Sequence, residues 1–325
     1  MALQALLILI VVSVSPFVII ESTKLSLDYY RETCPDFAKI IHDNIESKQF
    51  LHPAIAPGTL RLFFHDCMVE GCDASVLISS NEAKTTERDA DANHSLSDDA
   101  FDVVVSAKAT LEQSCPGIVS CADILAQTTR DLVTKIGGPF YKVLLGRKDG
   151  LLSEATNVEG NIPRPNQTMD QLIRIFESRG LTIYDMVALN GAHTIGFSHC
   201  KEFSDRLFHF NKTNPTDPDL NPLFATTLKI TCENIIDLGI SVVNDLRSPL
   251  SFDNMYYKNL NKGFGLLRSD NALVKDPRTK PIAESFAADQ KVFFRAFSQA
   301  MEKLSVYNVK TGQEGEVRLV CDAFN

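Results

Sequence analysis

Eight cysteines set the first limit on what this chain can become. Cys34, Cys67, Cys72, Cys115, Cys121, Cys200, Cys232 and Cys321 all lie beyond an apolar leader that runs from Leu3 to Ile20. The leader reads as a secretory signal, although no Lys or Arg precedes its apolar run. At about 18 apolar residues it is also long enough for an uncleaved anchor. The expectation is a cleaved signal over residues 1–22, followed by a single domain over 23–325. An even cysteine count in an exported chain predicts four disulfides, although eight cysteines allow 105 pairings. A thiolate metal site is the rival reading. It finds no C-x-x-C and no second close pair to complete it.

Other features fit export. Sequons begin at Asn93, Asn166 and Asn211. The net charge of −9 argues against a nucleic-acid partner. No other segment is long enough to span a bilayer, so the mature protein is expected to be extracellular, free of the membrane and monomeric. A hydrophobic content of 44% supports a sizeable core. Apolar residues recur near the helical period at Ala38, Ile41 and Ile45, and over 118–136, 169–176 and 278–304. Alternating strand patterns are few. A mostly helical fold with long loops stapled by disulfides follows.

Two stretches carry chemistry. In "RLFFHDCMVEGCDAS", residues 61–75, the spacing puts Arg61, Phe64 and His65 on one helix face. A histidine moves protons near neutral pH, and an arginine stabilises developing negative charge without losing its own. A buried histidine beside a structural Arg–Asp pair is equally open on this motif alone. In "TIYDMVALNGAHTIG", residues 182–196, Thr182 and Asp185 read as a helix N-terminal box, and Met186, Leu189 and His193 line one face. That face suits either a satisfied core histidine or an axial ligand to haem iron. The spacing does not choose.

Together, these two motifs, the eight cysteines and "FDNMYY" resemble the secreted plant (class III) haem peroxidases. The likeness runs from "YYRETCP" at Tyr29 to the terminal "RLVCDAFN". It implies the all-α haem peroxidase fold, with haem between distal and proximal helical halves and little β-structure. It also implies reduction of hydrogen peroxide to water while phenolic or similar small aromatic reductants are oxidised in one-electron steps, in the apoplast or cell wall.

Residue by residue, His65 resembles the distal acid–base histidine, Arg61 the distal arginine, Phe64 the aromatic that restricts access, and His193 the proximal iron ligand. Asp270, in "GLLRSDNAL", resembles the carboxylate that takes the other imidazole proton. Without the resemblance it would be a turn aspartate. Glu87 and Asn93, otherwise surface polar residues, resemble the pair that orients the distal histidine. Asn93 is thus claimed both by that pair and by a sequon.

The resemblance further implies one haem b and two Ca²⁺ ions. Asp66, Val69, Gly71, Asp73 and Ser75 would form a distal calcium site, where the bland reading is a solvated acidic loop. Thr194, Asp245, Ser248, Ser251 and Asp253 would form a proximal one, with Ser248 where threonine is usual. The implied disulfides are Cys34–Cys115, Cys67–Cys72, Cys121–Cys321 and Cys200–Cys232.

Donors would be oxidised near Ile162, Pro163 and Arg164, unless Pro163 is a plain loop proline. The chain has no tryptophan, which excludes a surface-tryptophan electron route. Asp91, Asn166 and Glu202 stand where some relatives carry aromatic side chains. Asn190 and Lys148 depart from the residues usual at their positions. Two other readings remain at this level. One is a secreted metallohydrolase using His65, Asp66 and His193, and the other a non-enzymatic, calcium-binding, disulfide-stapled wall protein.

Overall fold

A computed structural model describes residues 25–81, 84–233 and 239–325; the leader predicted over 1–22 lies outside them. Four helices build the first half: α1 (Phe37–Gln49), α2 (Ile55–Met68), α3 (Asp98–Ser114) and α4 (Cys121–Lys135). They pack on one another, with α2 against α3 and α4. Ser120 starts α4 by accepting a hydrogen bond from the Asp123 main-chain N–H, so an otherwise unpaired donor of the first turn is satisfied.

The second half begins with α5 (Met169–Glu177) and α6 (Ile183–Asn190). Both open with reciprocal capping boxes, Thr168 with Gln171 and Thr182 with Asp185. Then come α7 (Ser204–Phe208), α8 (Pro222–Thr231), α9 (Met255–Leu260), α10 (Arg268–Leu273), α11 (Lys280–Ala288) and α12 (Gln290–Leu304). Helix α12 lies along α6, and Lys303 clamps the pair by donating to both carboxylate oxygens of Asp185 at 2.8 Å. Phe293, Ala296, Phe297, Ala300, Met301 and Leu304 form the buried face of α12, at the three- and four-residue spacing of a helix. Among the described residues the only sheet is a two-stranded antiparallel ribbon, β1 (Phe197–His199) with β2 (Ser241–Val243). The fold is all-α.

Two local expectations need correction. The helical pattern over 278–304 is two helices, because Asp289 is extended (φ −137°, ψ 109°) and its side chain caps α12 at Lys291 N–H. His193 is not on the face of α6. That helix ends at Asn190, and His193 sits in the 3₁₀ turn Gly191–Thr194. Gly191 is required there, because a Cβ would lie 2.3 Å from the Phe293 ring and 2.7 Å from the Tyr257 hydroxyl. Asn190 turns back on its own helix, its side-chain amide donating to Met186 O at 2.9 Å.

The cysteines pair as Cys34–Cys115, Cys67–Cys72, Cys121–Cys321 and Cys200–Cys232. The first joins the approach to α1 to the end of α3, and the third joins the start of α4 to the C-terminus. Long closures of this kind restrict the unfolded chain most. The second closes the loop that follows α2.

Candidate active site

A cavity of about 510 Å³ lies between the two halves. Leu60, Arg61, Phe64 and His65 reach it from α2, Leu172 and Phe176 from α5, and Phe297 and Met301 from α12. His193 enters from its 3₁₀ turn. The cavity therefore has mostly apolar walls, with one imidazole contributed by each half.

His65 is 5% exposed, and its Nδ1 lies 2.6 Å from Asn93 Oδ1. An amide oxygen only accepts, so the ring proton sits on Nδ1 and Nε2 carries the lone pair. Asn93 is held in turn, because its Nδ2 donates to the main-chain carbonyl of Glu87 at 2.7 Å. Burial lowers the His65 pKa to about 3; the nearby Arg61 and Arg164 charges act the same way, and the Asn93 bond opposes them. The ring is neutral above that range and able to accept a proton.

Arg61 opens into the cavity while its guanidinium is tied behind. Nη1 donates to Ser95 O at 2.7 Å, and Nη2 to Ala92 O and Ser95 Oγ at 3.1 Å. Enclosure lowers its pKa to about 10, so it stays cationic at neutral pH. Phe64 lies edge-on to His65 and tilted against Phe176, with ring centroids 6.2 and 6.0 Å away.

On the other side, His193 Nδ1 donates to Asp270 Oδ1 at 2.8 Å. Asp270 is 4% exposed, and it also accepts from the Tyr256 hydroxyl at 2.8 Å and from Leu267 N–H at 3.0 Å. Burial alone would raise its pKa; His193 and these donors outweigh burial and hold the carboxyl below its usual range. An ionised partner makes the imidazole a more basic ligand through its remaining nitrogen, Nε2. Tyr256 is a member of this site that sequence reasoning missed, although it lies within the "FDNMYY" motif.

Glu87 does not orient His65 through its side chain. Its backbone carbonyl does so, through Asn93. The carboxylate is fully buried and neither oxygen makes a hydrogen bond. Burial raises its pKa well above the ordinary value, and Asp66 and Asp73 add to this. Ser75 lies near enough to favour the charged form, yet its own hydroxyl is buried and unpartnered.

Asp66 and Asp73 are also buried, and burial together with their mutual repulsion raises the Asp66 pKa. Asp66 accepts from Ala74 N–H at 2.9 Å, and Lys310 is 3.8 Å from Asp73. Buried carboxylates offset only by the Arg318 and Lys310 charges are costly, and Asp66 and Asp73 fit a cation shared with carbonyl and hydroxyl oxygens. Gly71 (φ +112°) makes the turn possible; a Cβ there would lie 2.4 Å from Asn308 O. Gly71 O already accepts from Asp73 N–H, and Val69 follows α2 directly.

In the second set, Thr194 Oγ1 donates to Asp253 Oδ1 at 3.2 Å and Ser248 Oγ to Asp245 Oδ2 at 3.3 Å; Ser251 is exposed. Among the described residues no metal site is built from His, Cys, Asp and Glu side chains alone. Any calcium would be held by carboxylates together with carbonyls and hydroxyls.

Asp91, Ile162, Pro163, Arg164 and Glu202 line the cavity's outer part, and Asn166 is exposed beyond it. Buried and bonded on both sides, the Asn93 amide has no room for a sugar. Peptide mapping of the protein from a glycosylating host is expected to show Asn93 unmodified. Glycan on that residue would contradict its bond to His65.

An all-α chain with an apolar cavity, one histidine held by an ionised aspartate and a neutral histidine beside an arginine has the features of a haem-dependent oxidoreductase. Comparison with known proteins agrees. The family model described as "Peroxidase" matches residues 39–289. Peroxidase 65 of Arabidopsis thaliana is 53% identical over 313 residues, covering 96% of this chain and 92% of that protein. Peroxidase 41 of the same plant is 54% identical over 302 residues (93% and 91%), and Peroxidase 63 is 48% identical over 324 (99% and 97%). The chain belongs to the plant haem peroxidase family and uses hydrogen peroxide to oxidise a reductant. Among the described residues no helix is long and apolar enough to cross a membrane.

Proposed function

We propose that the chain is a secreted, monomeric enzyme of the apoplast or cell wall, with its leader over 1–22 removed. It would hold one haem b and two Ca²⁺ ions and oxidise phenolic or similar small aromatic reductants. The observation that carries this reading is the chain of bonds from Glu87 O through Asn93 to His65 Nδ1, with Arg61 beside it. His193 would hold haem b, which would supply the redox chemistry that couples two-electron reduction of hydrogen peroxide to one-electron oxidations of the donor.

The protein's own part is proton handling and charge. His65 Nε2 takes a proton from hydrogen peroxide and returns it to the departing oxygen, which leaves as water. Arg61 stabilises the negative charge that develops on that oxygen. Asn93 keeps the lone pair of His65 turned to this task by fixing the proton on Nδ1. Asp270 keeps the His193 ring oriented and electron-rich. Pro163 and its neighbours receive the donor. Asp66, Val69, Gly71, Asp73 and Ser75 would hold one calcium behind α2, and Thr194, Asp245, Ser248, Ser251 and Asp253 the other.

The test is the purified protein's absorption spectrum and metal content. A Soret band that shifts on adding peroxide, a haem-to-calcium ratio of one to two and turnover of a simple phenol are expected. A protein with zinc and no haem, or with neither, would overturn the reading.

A further inference from the structure

The outer edge of the cavity carries more charge than the peroxide chemistry uses. Two cations line it, Arg61 and Arg164, along with two carboxylates, Asp91 and Glu202. The charges are paired off. Glu202 pairs with Lys201, its Oε1 3.7 Å from Nζ, and its charge also acts on Arg61. Arg164 is held by Asp91, with Nη1 3.0 Å from Oδ2. A longer contact, 3.7 Å, joins Arg164 Nη2 to Glu159 Oε2.

The Arg164–Asp91 pair is lopsided. The Arg164 side chain is 29% exposed and that of Asp91 75%. An ion pair with so exposed a partner is weak and easily screened. The Arg164 backbone, by contrast, is fixed. Pro163 and Pro165 flank it, and its N–H donates to Gln167 Oε1 at 2.9 Å. A guanidinium presents five N–H donors in a rigid fork that matches a carboxylate in two-point contact. Here a single donor atom makes a short ionic contact, with a carboxylate that solvent already competes for. The Arg164 charge also reaches the reaction centre, where it helps to depress the pKa of both His65 and Arg61. An anion on Arg164 therefore lies within the field of the site.

We propose that Arg164 determines donor specificity by selecting aromatic reductants that carry a carboxylate, and that Asp91 is the occupant it releases when such a donor docks. This rests on the aromatic-donor reading above and names the class within it. Glu202 makes its ion pair with Lys201 and not with Arg164, whose partners are Asp91 and Glu159.

The experiment compares 4-hydroxycinnamic acid with its neutral methyl ester on the haem-loaded protein. It measures kcat/KM for each, and binding of each by calorimetry without peroxide. Arg164→Gln is expected to lower the acid-to-ester ratio by about tenfold in both measurements, equivalent to about 1.4 kcal/mol. Arg164→Lys, which keeps the charge and loses the fork, should fall between. Asp91→Asn should raise the ratio, because it removes the competing carboxylate, and added salt should erode the wild-type ratio. An unchanged ratio in Arg164→Gln, or a lowered one in Asp91→Asn, overturns the proposal. If the wild type oxidises neither phenol, the aromatic-donor reading falls, and the binding ratio alone still decides the role of Arg164.

Discussion

Replacing His65 by alanine is expected to slow the reaction with hydrogen peroxide by about 10²–10⁴-fold, the range that a positioned acid–base group contributes. Haem should remain bound, since His193 and Asp270 lie in the other half of the fold and do not touch His65. The measurement is stopped-flow absorbance of the haem-loaded variant mixed with peroxide, beside its resting spectrum. A variant that reacts at the wild-type rate would remove His65 from the mechanism. The pH profile gives a second reading of the same group. Burial and the neighbouring arginines lower the His65 pKa to about 3, so the base is present throughout the neutral range. The rate should stay level as pH falls from neutrality and drop only as it approaches that value. A decline centred near the ordinary histidine pKa of about 6.5 would mean that His65 is not held as described.

Stripping the proposed calcium should produce the largest effect on stability. Asp66, Asp73 and Glu87 are buried together, and burial raises the pKa of each. In the calcium-free fold these groups keep protons that the unfolded chain releases. Their folded pKa values lie above the unfolded ones, so stability is fullest in acid and is lost as pH rises past the carboxylate range, about 4. The loss is about 1.4 kcal/mol per pH unit for each retained proton. For a chain of this size each kcal/mol moves Tm by about 2–4 °C. Calcium bound at the proposed site would reverse the trend, because it would favour the ionised carboxylates and stabilise the fold by mass action. Thermal melts in chelator and in calcium, from pH 5 to pH 8, should therefore diverge by on the order of 10 °C at the alkaline end. Parallel curves would mean that no cation sits at Asp66 and Asp73.

The same stretch of sequence supports both predictions unequally. That Arg61, Phe64 and His65 share a face needed only the helical period, and α2 holds them as the spacing requires. Thr182 and Asp185 announced the start of α6 from four residues of local sequence. Glu87 was legible as a participant and not by its role, since sequence does not distinguish a backbone carbonyl from a carboxylate as the working group. The break at Asp289 was hidden because the apolar period continues across it, and only the cap shows where one helix stops.

By itself, then, the sequence determined what depends on short range: the helices, their caps, the shared face of α2 and the motifs that mark the family. The tertiary structure alone decided which distant groups meet. Asn93 reaches His65 across 28 residues and Asp270 reaches His193 across 77. The pairing of Arg164 with Asp91, on the loop that carries Asn93, is of the same kind. Such contacts follow from how helices and loops pack, and packing responds to the whole core, where no local period or spacing records it.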